Sequence, residues 1–315
     1  MMPMSTLFAE KLPAPEGPVV APNGWIMNVC SFVPQDTSWP RNAADITATH
    51  ISRPLETITV FNTSRGGVTG IPAALAFGPD GCLYVTDEGH RSIVRVTPDG
   101  EQADFISHYQ SQRLNGPNDL CFDPDGSLFF TDPWGSSLEK PIGSVYGYDW
   151  QSGALHQIHT GLAFPNGILV GNGRVYAAET LTNKIWVYDV VGPGQAENIR
   201  GFCRLPDLKV KNLTGPDGMA FDVEGNIYCA TVGVGFVYVF DPEGTLIESI
   251  PTGGVRPTNV CFGGLDHDTL FVTIDDLGTM ITYQNPIKGY RLPFCPSTWE
   301  NHPWSKMLPS PPGSN

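Results

Sequence analysis

Long apolar segments and an excess of positive charge are both missing from this sequence. No run of about 18 or more apolar residues occurs, which argues against a transmembrane helix. The first residues, MMPMSTLFAEKLPAPEGP, lack the basic start and apolar core of a secretory signal peptide. Lysine and arginine number 18 against 32 aspartates and glutamates, a formal net charge of −14. Nucleic acid and anionic membranes are therefore unfavourable partners, and we expect a cytoplasmic protein.

Several catalytic and redox motifs are also missing. Neither Gly-x-Ser-x-Gly, a P-loop nor Cys-x-x-Cys occurs, and the spacing of the histidines suggests no ligand set. The seven cysteines are odd in number and widely spaced, and most lie in strand-like runs. A thiol in such a run behaves as a small buried apolar residue, so we expect reduced cysteines and no disulfide framework. The cysteines are Cys30, Cys82, Cys121, Cys203, Cys229, Cys261 and Cys295.

Glycine and proline are abundant, and they mark a repeat. The 35 glycines and 29 prolines favour many short strands joined by turns over long helices. The segment PNDLCFDPDGSLFFTD (117–132) recurs along the chain at intervals of between 41 and 57 residues. In four copies a turn glycine follows nine residues after the first proline, at Gly24, Gly81, Gly126 and Gly225. The six copies begin at Pro15, Pro72, Pro117, Pro165, Pro216 and Pro257.

Each copy is typical of a β-hairpin, because two apolar runs flank a glycine turn. Further alternating runs follow the copies at 92–100, 144–153, 184–192 and 236–244. Three to four strands in roughly 45 residues are the pattern of a β-propeller blade. We therefore predict an all-β protein, with one six-bladed β-propeller domain over residues 1–315. Its Pro-rich C-terminal tail, about 286–315, is predicted to wrap the barrel.

The residue after each repeat proline is predicted to face the central channel, because proline is tolerated at the first position of a strand. In chain order these six residues are Glu16, Ala73, Asn118, Asn166, Asp217 and Thr258. Four of them carry carboxylate or carboxamide oxygens, which repel one another at short range unless a cation lies between them. We therefore predict a central-channel metal site with Glu16, Asn118, Asn166 and Asp217 as ligands.

This predicted ligand set indicates one divalent cation. All four donors are oxygens, which suit Ca²⁺, Mg²⁺ or Mn²⁺ better than a metal that prefers thiolate or imidazole. Ca²⁺ is the first choice because it accepts an irregular shell completed by water. The competing interpretation is that asparagine and aspartate after proline are turn residues that recur at blade starts. Their recurrence at one offset in four repeats favours the metal.

Other residues near the ring are candidates to bind substrate. Asp119 directly follows Asn118 and either orients it or caps a turn. Glu88, His90 and Trp134 follow the second apolar run of their repeats, where loops on a rigid scaffold commonly carry specificity. The predicted substrate-binding residues are Asn118, Asp119, Glu88, His90, Trp134 and Asn259. The long polar segment 35–69 is predicted to shape a lid.

Several segments together resemble a known family. The chain is similar to the gluconolactonase, regucalcin (senescence marker protein) and LRE-like family of six-bladed β-propeller hydrolases, over roughly residues 13–285. The resemblance implies a calcium-type site made by a glutamate, two asparagines and an aspartate, here Glu16, Asn118, Asn166 and Asp217. It also implies hydrolysis of lactones, with Zn²⁺ or Fe²⁺ in some members. The segments are PEGPV (15–19), RLNGPNDLCFDPDGSLFFTDPWGSS (113–137), FPNGILV (164–170), GPDGMAFDVEGNIYCAT (215–231) and RPTNVCFGG (256–264).

The resulting hypothesis is a metal-dependent lactonase acting on a sugar-derived or other small lactone. The ion polarises the ester carbonyl, water attacks, and Asp217 serves as general base. An organophosphate hydrolase, a non-hydrolytic calcium-binding propeller and a small-molecule isomerase or cyclase remain alternatives, because a fold does not fix a function. The sequence leaves the substrate, the native metal and the oligomeric state open.

Overall fold

The computed structural model describes residues 5–32, 41–206, 214–294 and 302–310. Within these ranges the chain forms six four-stranded sheets, which are the blades of a six-bladed β-propeller. Neighbouring strands in each blade run antiparallel. The helical residues in the described ranges lie in three short 3₁₀ turns, Pro22–Gly24, Thr180–Thr182 and Pro303–Lys306. None of the described helices is long and apolar enough to cross a membrane.

The strands follow one another with short connections. The first thirteen are β1 (Thr6–Glu10), β2 (Pro15–Val20), β3 (Trp25–Cys30), β4 (Asp45–His50), β5 (Thr57–Asn62), β6 (Pro72–Phe77), β7 (Leu83–Asp87), β8 (Ser92–Val96), β9 (Gln102–Ile106), β10 (His108–Tyr109), β11 (Gln112–Arg113), β12 (Leu120–Phe122) and β13 (Leu128–Asp132). The others are β14 (Gly143–Tyr148), β15 (Leu155–Leu162), β16 (Pro165–Gly171), β17 (Arg174–Glu179), β18 (Lys184–Gly192), β19 (Gln195–Arg204), β20 (Gly215–Phe221), β21 (Ile227–Val232), β22 (Phe236–Phe240), β23 (Leu246–Pro251), β24 (Pro257–Gly263), β25 (Thr269–Ile274) and β26 (Thr279–Gln284).

Blades one to five each use four strands that are consecutive in the chain. These are β2–β5, β6–β9, β12–β15, β16–β19 and β20–β23, while β10 and β11 form a separate two-stranded hairpin. The sixth blade consists of β24, β25, β26 and β1. Strand β1 pairs with β26, so that Thr6 is opposite Thr282 and Glu10 is opposite Thr279. This closure by β1 was not predicted from the sequence.

Most inner strands are buried along their whole length, because each blade packs between two neighbours. Strand β7 is buried at all five positions and β21 at all six. The outermost strands are more exposed, as in β23, where five of the six residues face solvent. The predicted turn glycines Gly24, Gly81, Gly126 and Gly225 all have positive φ, between 74° and 92°. The repeat therefore encodes both the buried strands and the turns that join them.

A register shift, typical of a β-bulge, interrupts the start of the innermost strand in five of the six blades. The register shifts between Glu16 and Val19 in blade one, and the corresponding shift in blade four lies between Pro165 and Ile168. Blades two, five and six have similar shifts after their repeat prolines. In blade three β12 begins only at Leu120, three residues after Pro117. A bulge re-aims a side chain, here the residue after the proline.

The predicted lid was wrong for the part of segment 35–69 that forms β4 and β5. These strands complete blade one, because a four-stranded blade needs two strands outside its inner hairpin. Residues 35–40 lie outside the described residues.

The described part of the C-terminal tail packs on the end of the propeller opposite the ring. The backbone N–H of Tyr290 donates to the carbonyl of Phe221 at 2.8 Å. Farther along, Trp304 is fully buried between Phe61 and Phe77. Residues 295–301 and 311–315 of the tail lie outside the described ranges. No disulfide joins the cysteines that the structure describes, whereas Cys295 is outside them.

Candidate metal centre

Four oxygen-bearing side chains occupy equivalent positions at one mouth of the channel. Asn166 and Asp217 are buried, with 4% and 6% of their surface exposed, while Glu16 and Asn118 are partly exposed. The two remaining ring positions, Ala73 and Thr258, supply no uncommitted side-chain oxygen as a cation ligand. Ala73 has no side-chain oxygen, and the Thr258 hydroxyl is engaged with the Pro15 carbonyl and with the Thr273 hydroxyl, both at 2.8 Å. The assignment of Glu16, Asn118, Asn166 and Asp217 as cation ligands stays a prediction.

Glu16 and Asp217 interact electrostatically across the ring. Burial raises the pKa of the Glu16 carboxyl to about 8, although hydrogen bonds from Asn259 and the Gly17 backbone N–H act against the shift. Burial also raises the pKa of Asp217 well above its ordinary value, with the Glu16 carboxylate as the next cause and Arg256 opposing. Each ionised carboxylate repels the other, and a divalent cation bound between them would offset this repulsion.

The two asparagines differ in how they are held. Asn118 donates its Nδ2 to Glu88 Oε1 at 3.0 Å, so its carbonyl oxygen is left for another partner. Burial raises the pKa of Glu88 to about 8, and the Asn118 hydrogen bond lowers it. The Asn166 side chain forms no hydrogen bond within the part of the chain that the structure describes. Its carbonyl oxygen is therefore not committed to another described side chain and could serve a bound cation.

Asp119 and Asn259 lie on opposite blades, each one position after its ring residue. Asp119 accepts backbone N–H groups from Leu120 and from Ile168 of the next blade, both at 2.8 Å. Burial raises the pKa of Asp119 to about 7. The Asn259 oxygen accepts the Val260 N–H at 2.8 Å, and its amide hydrogen-bonds Glu16. Both residues are thus engaged in supporting the ring, and their predicted contact with substrate stays a prediction.

Glycine at the same position in other blades makes room for these side chains. A Cβ at Gly218 would lie 2.1 Å from Asn259 Cγ. A Cβ at Gly167 would lie 2.1 Å from the Asp217 carbonyl oxygen. The glycines that follow the proposed ligands therefore allow close approach of the neighbouring blade.

A Thr-Asp pair at the end of the second strand connects the blades, and sequence reasoning missed its role. Thr131 donates to the carbonyl of Asn166 in the next blade at 2.6 Å and accepts the N–H of Asp119. Asp132 accepts the N–H of Gly116 at 2.7 Å, in the loop before Pro117. Blade two repeats the pattern with Thr86 and Asp87. Threonine and aspartate recur 14 and 15 residues after the repeat proline, and this recurrence was the signal that could have revealed their role in connecting the blades.

The last two predicted substrate residues, His90 and Trp134, differ from each other in exposure. His90 is buried, with Nδ1 2.9 Å from Asp87 Oδ2 and Nε2 3.3 Å from the Arg65 carbonyl oxygen. Both of its ring nitrogens are therefore engaged within the protein. Trp134 is 42% exposed, in the loop between β13 and β14 at the mouth of the channel. Of these two residues, Trp134 has the greater surface open to a ligand.

A cavity of about 80 Å³ lies in the channel on the inner side of the ring. Its wall includes Gly17, Asp119 and Asn259, and Leu292 and Pro293 of the tail also line it. The tail thus borders the channel on the side away from the proposed ligands.

The donor set fits a divalent cation of the calcium type. Among the described residues, no three histidine, cysteine, aspartate or glutamate side chains converge as a metal-binding group. A cation here would rest on two carboxylates and two amide oxygens, a hard-oxygen shell of low charge that water must complete. Zn²⁺ is less suited to the site, because its usual imidazole and thiolate ligands are not in the ring.

The fold and this ring define a six-bladed β-propeller with an oxygen-lined central site. Residues 44–275 match the SMP-30/gluconolactonase/LRE-like model, and the chain belongs to that family. It is 30% identical to a diisopropyl-fluorophosphatase of Loligo vulgaris over 257 residues, 77% of this chain and 79% of that protein. It is 29% identical to a gluconolactonase of Zymomonas mobilis over 241 residues, 69% and 67% of the two chains.

Solved structures support the fold. A calcium-binding protein, regucalcin, from Agrobacterium tumefaciens superposes with a TM-score of 0.71 at 19% identity. The superposition covers 93% of this chain and all of that one. At this level of identity the likeness concerns the fold alone.

Proposed function

We propose that this protein is a divalent-cation-dependent lactonase, with Glu16, Asn118, Asn166 and Asp217 as the cation ligands. The observation that carries the proposal is the pairing of Glu16 and Asp217, two carboxylates of raised pKa set among amide oxygens at a channel mouth. The gluconolactonase relative supports the reaction, and the regucalcin structure, described as calcium-binding, supports Ca²⁺ as the first ion to test.

Asp217 is the proposed general base. It takes a proton from the attacking water and returns it to the ring oxygen when the carbon–oxygen bond of the lactone breaks. With the cation bound, the Asp217 carboxylate would stay ionised and so be able to accept a proton from water. When bound, the cation would act as Lewis acid toward the ester carbonyl. Glu16 holds charge at the ring without taking part in proton transfer.

Asn118 and Trp134 are the proposed substrate contacts at the mouth. Asn118 is partly exposed and its carbonyl oxygen is not used by Glu88. Glu88, Asp119 and Asn259 act on the site through their protein partners, by holding the ring and its neighbouring backbone.

The test is the Asp217→Asn variant, which keeps the shape of the side chain and removes its charge. We expect Ca²⁺ affinity to fall and lactone hydrolysis to drop by at least about a hundredfold, in the range of losing a general base. Asp99→Asn, at an exposed turn, is the matched control and should behave as the parent chain. Undiminished hydrolysis in Asp217→Asn would overturn the assignment.

A phosphotriester hydrolase is the second candidate, because the relative with 30% identity is named a diisopropyl-fluorophosphatase. The same ring would then act on a P–F or P–O bond. Diisopropyl fluorophosphate and a lactone assayed side by side, with and without Ca²⁺, distinguish the two. Tight Ca²⁺ binding without hydrolysis of either substrate would contradict both enzymatic proposals and favour a non-hydrolytic calcium-binding propeller.

A further inference from the structure

Large apolar side chains are exposed at the end of the propeller that carries the proposed metal site. Trp134 and Leu138 lie in the loop between β13 and β14 of blade three, and they are 42% and 58% exposed. Val255 and Leu277 lie in the loops before β24 and before β26 of blade six, and they are 56% and 48% exposed. These four residues are called the apolar rim. All three loops are at the end of the blades where the ring residues lie, because β13 and β25 run toward that end.

Trp134 stands beside the loop that carries Asn118. A Cβ at Gly116 would lie 2.7 Å from Trp134 Cβ and 3.5 Å from Glu88 Cα. The base of the tryptophan therefore packs on Gly116, two residues before Asn118. Asp132 fixes this loop by accepting the N–H of Gly116 at 2.7 Å. The indole is thus held on an ordered support next to a proposed ligand, and part of its surface is open.

The second half of the apolar rim is on the opposite side of the ring. A Cβ at Gly254 would lie 3.0 Å from Leu277 Cδ1, and Val255 is the next residue, so both side chains belong to one patch. Asp276 fixes the patch by accepting the N–H of Val255 at 3.0 Å. Blades three and six are three positions apart in a ring of six. The apolar rim therefore lies on two opposite blades, at the end of the propeller that carries the proposed metal site.

Polar side chains near the ring are already used by the protein. A polyhydroxylated substrate needs several convergent donors and acceptors, since a site gains specificity for hydroxyl groups by bonding them. The candidates for such contacts already have hydrogen-bond partners within the protein. Glu88 accepts from Asn118, and Asp119 accepts two backbone N–H groups. Asn259 is bonded to Glu16 and to the Val260 N–H, and His90 is bonded to Asp87. Beyond the ring, this end of the propeller therefore offers the apolar rim together with the charged side chains of Glu139, Lys140 and Arg256.

From this arrangement we infer that the site prefers lactones carrying an apolar substituent over polyhydroxylated sugar lactones, and that Trp134 is a specificity-determining residue. The inference rests on the proposed lactonase function and names its substrate class. The cyclic ester reaches the ring, while the substituent lies against Trp134 or the patch on blade six. Burial of each additional methylene against such a surface contributes roughly two- to fourfold to the binding constant.

The experiment compares six-membered lactones with the full-length chain loaded with Ca²⁺. The substrates are δ-valerolactone, δ-octanolactone, δ-decanolactone and glucono-δ-lactone, and the measurement is kcat/KM for each. We expect kcat/KM to rise by about two- to fourfold per added methylene until the rim is covered, and glucono-δ-lactone to be the poorest substrate. No dependence on chain length, or preference for glucono-δ-lactone, would overturn the inference and leave the lactonase proposal standing.

Two variants assign the effect to the tryptophan. Trp134→Ala keeps the Cβ that packs on Gly116, and it should lose far more activity toward δ-decanolactone than toward δ-valerolactone. Trp134→Phe should recover most of the chain-length dependence. Leu265→Ala, 89% exposed in the turn between β24 and β25 at the other end of blade six, is the control and should match the parent chain. An equal loss on every lactone in Trp134→Ala would contradict a role in specificity.

A third outcome separates this inference from the proposed function. If no lactone is hydrolysed with any divalent cation, the lactonase proposal fails. Equilibrium binding of δ-decanolactone, followed by saturation-transfer NMR, then decides the remaining point. Binding by the parent chain that is lost in Trp134→Ala would support an apolar ligand at the rim, and absence of binding would overturn it.

Discussion

Asn118 and Glu88 form a hydrogen bond between neighbouring blades, with 3.0 Å between Asn118 Nδ2 and Glu88 Oε1. The bond fixes which end of the Asn118 amide is turned toward Glu88, and so leaves the carbonyl oxygen as the donor for a cation. Glu88 itself belongs to the loop after β7, whereas Asn118 precedes β12. The orientation of one proposed ligand therefore depends on the blade before it.

Replacing Glu88 tests this dependence. In Glu88→Ala the Asn118 amide loses its acceptor, so we expect affinity for Ca²⁺ to fall about tenfold or more, as for other residues that orient a metal ligand. Glu88→Gln keeps an acceptor oxygen and should retain most of the affinity. Titration calorimetry measures both, with Glu139→Ala at the same mouth as control. Unchanged affinity in Glu88→Ala would contradict the orienting role.

Gly218→Ala should disturb the support of Glu16. The new Cβ would lie 2.1 Å from Asn259 Cγ, so the Asn259 amide must move away from Glu16. We expect weaker Ca²⁺ binding by about tenfold. Gly201→Ala, whose Cβ would meet nothing within 4 Å, is the matched control. Equal Ca²⁺ titrations for the two variants would show that Asn259 is not needed to hold Glu16.

Stability of the chelator-treated protein should depend on pH. The ordinary pKa of Glu16 is 4.5 and burial raises it to about 8, so the folded chain binds more protons than the unfolded chain between these values. Stability therefore falls as pH rises from about 4.5 to about 8, and the raised pKa of Asp217 acts in the same direction. We expect the melting temperature to drop by roughly 3–8 °C over this window.

Excess Ca²⁺ should remove most of that pH dependence, because a bound cation stabilises the ionised carboxylates. Differential scanning calorimetry at pH 5 and pH 8, with chelator and with Ca²⁺, gives the four values needed. A Glu16→Gln variant should show a smaller drop than the parent chain after chelation. An identical drop in that variant would exclude Glu16 as its source.

The C-terminal tail should contribute to stability without affecting the ring. Trp304 is fully buried, so Trp304→Ala should lower the free energy of unfolding by about 3–5 kcal/mol. Its indole nitrogen has no hydrogen-bond partner within the described residues, so Trp304→Phe should cost much less. Urea unfolding measures both. A change in Ca²⁺ affinity in either variant would contradict the separation of tail and ring.

The repeat made the architecture and the ring predictable because both depend on local sequence. Pro-x at the start of a blade and a glycine turn nine residues later are short-range features, and they recur. Strand β18 covers the predicted run 184–192 in full. The prediction that Glu16, Asn118, Asn166 and Asp217 share one ring follows from the symmetry of the fold, once six copies are counted, and the structure shows an electrostatic interaction between Glu16 and Asp217.

Other features depend on long-range contacts that a repeat does not encode. The lid prediction failed because polarity in segment 35–69 was interpreted as irregular structure, although β5 is an outer strand with its residues partly exposed. The bond between Glu88 and Asn118 spans 30 residues and has no local pattern, so it was not predicted, while contact of Glu88 with substrate stays a prediction. The bulges were also missed, since nothing in Pro-x alone distinguishes a bulge from regular pairing.

Closure of the sixth blade has a consequence for how the chain folds. The hydroxyl of Thr282 donates to the carbonyl of Thr6 across 276 residues, so β1 meets its partner only after every other blade has been made. During synthesis β1 must therefore wait unpaired while blades one to five assemble in order. Such a distant contact slows folding, and a chain released before β26 leaves an open edge on which another copy can pair.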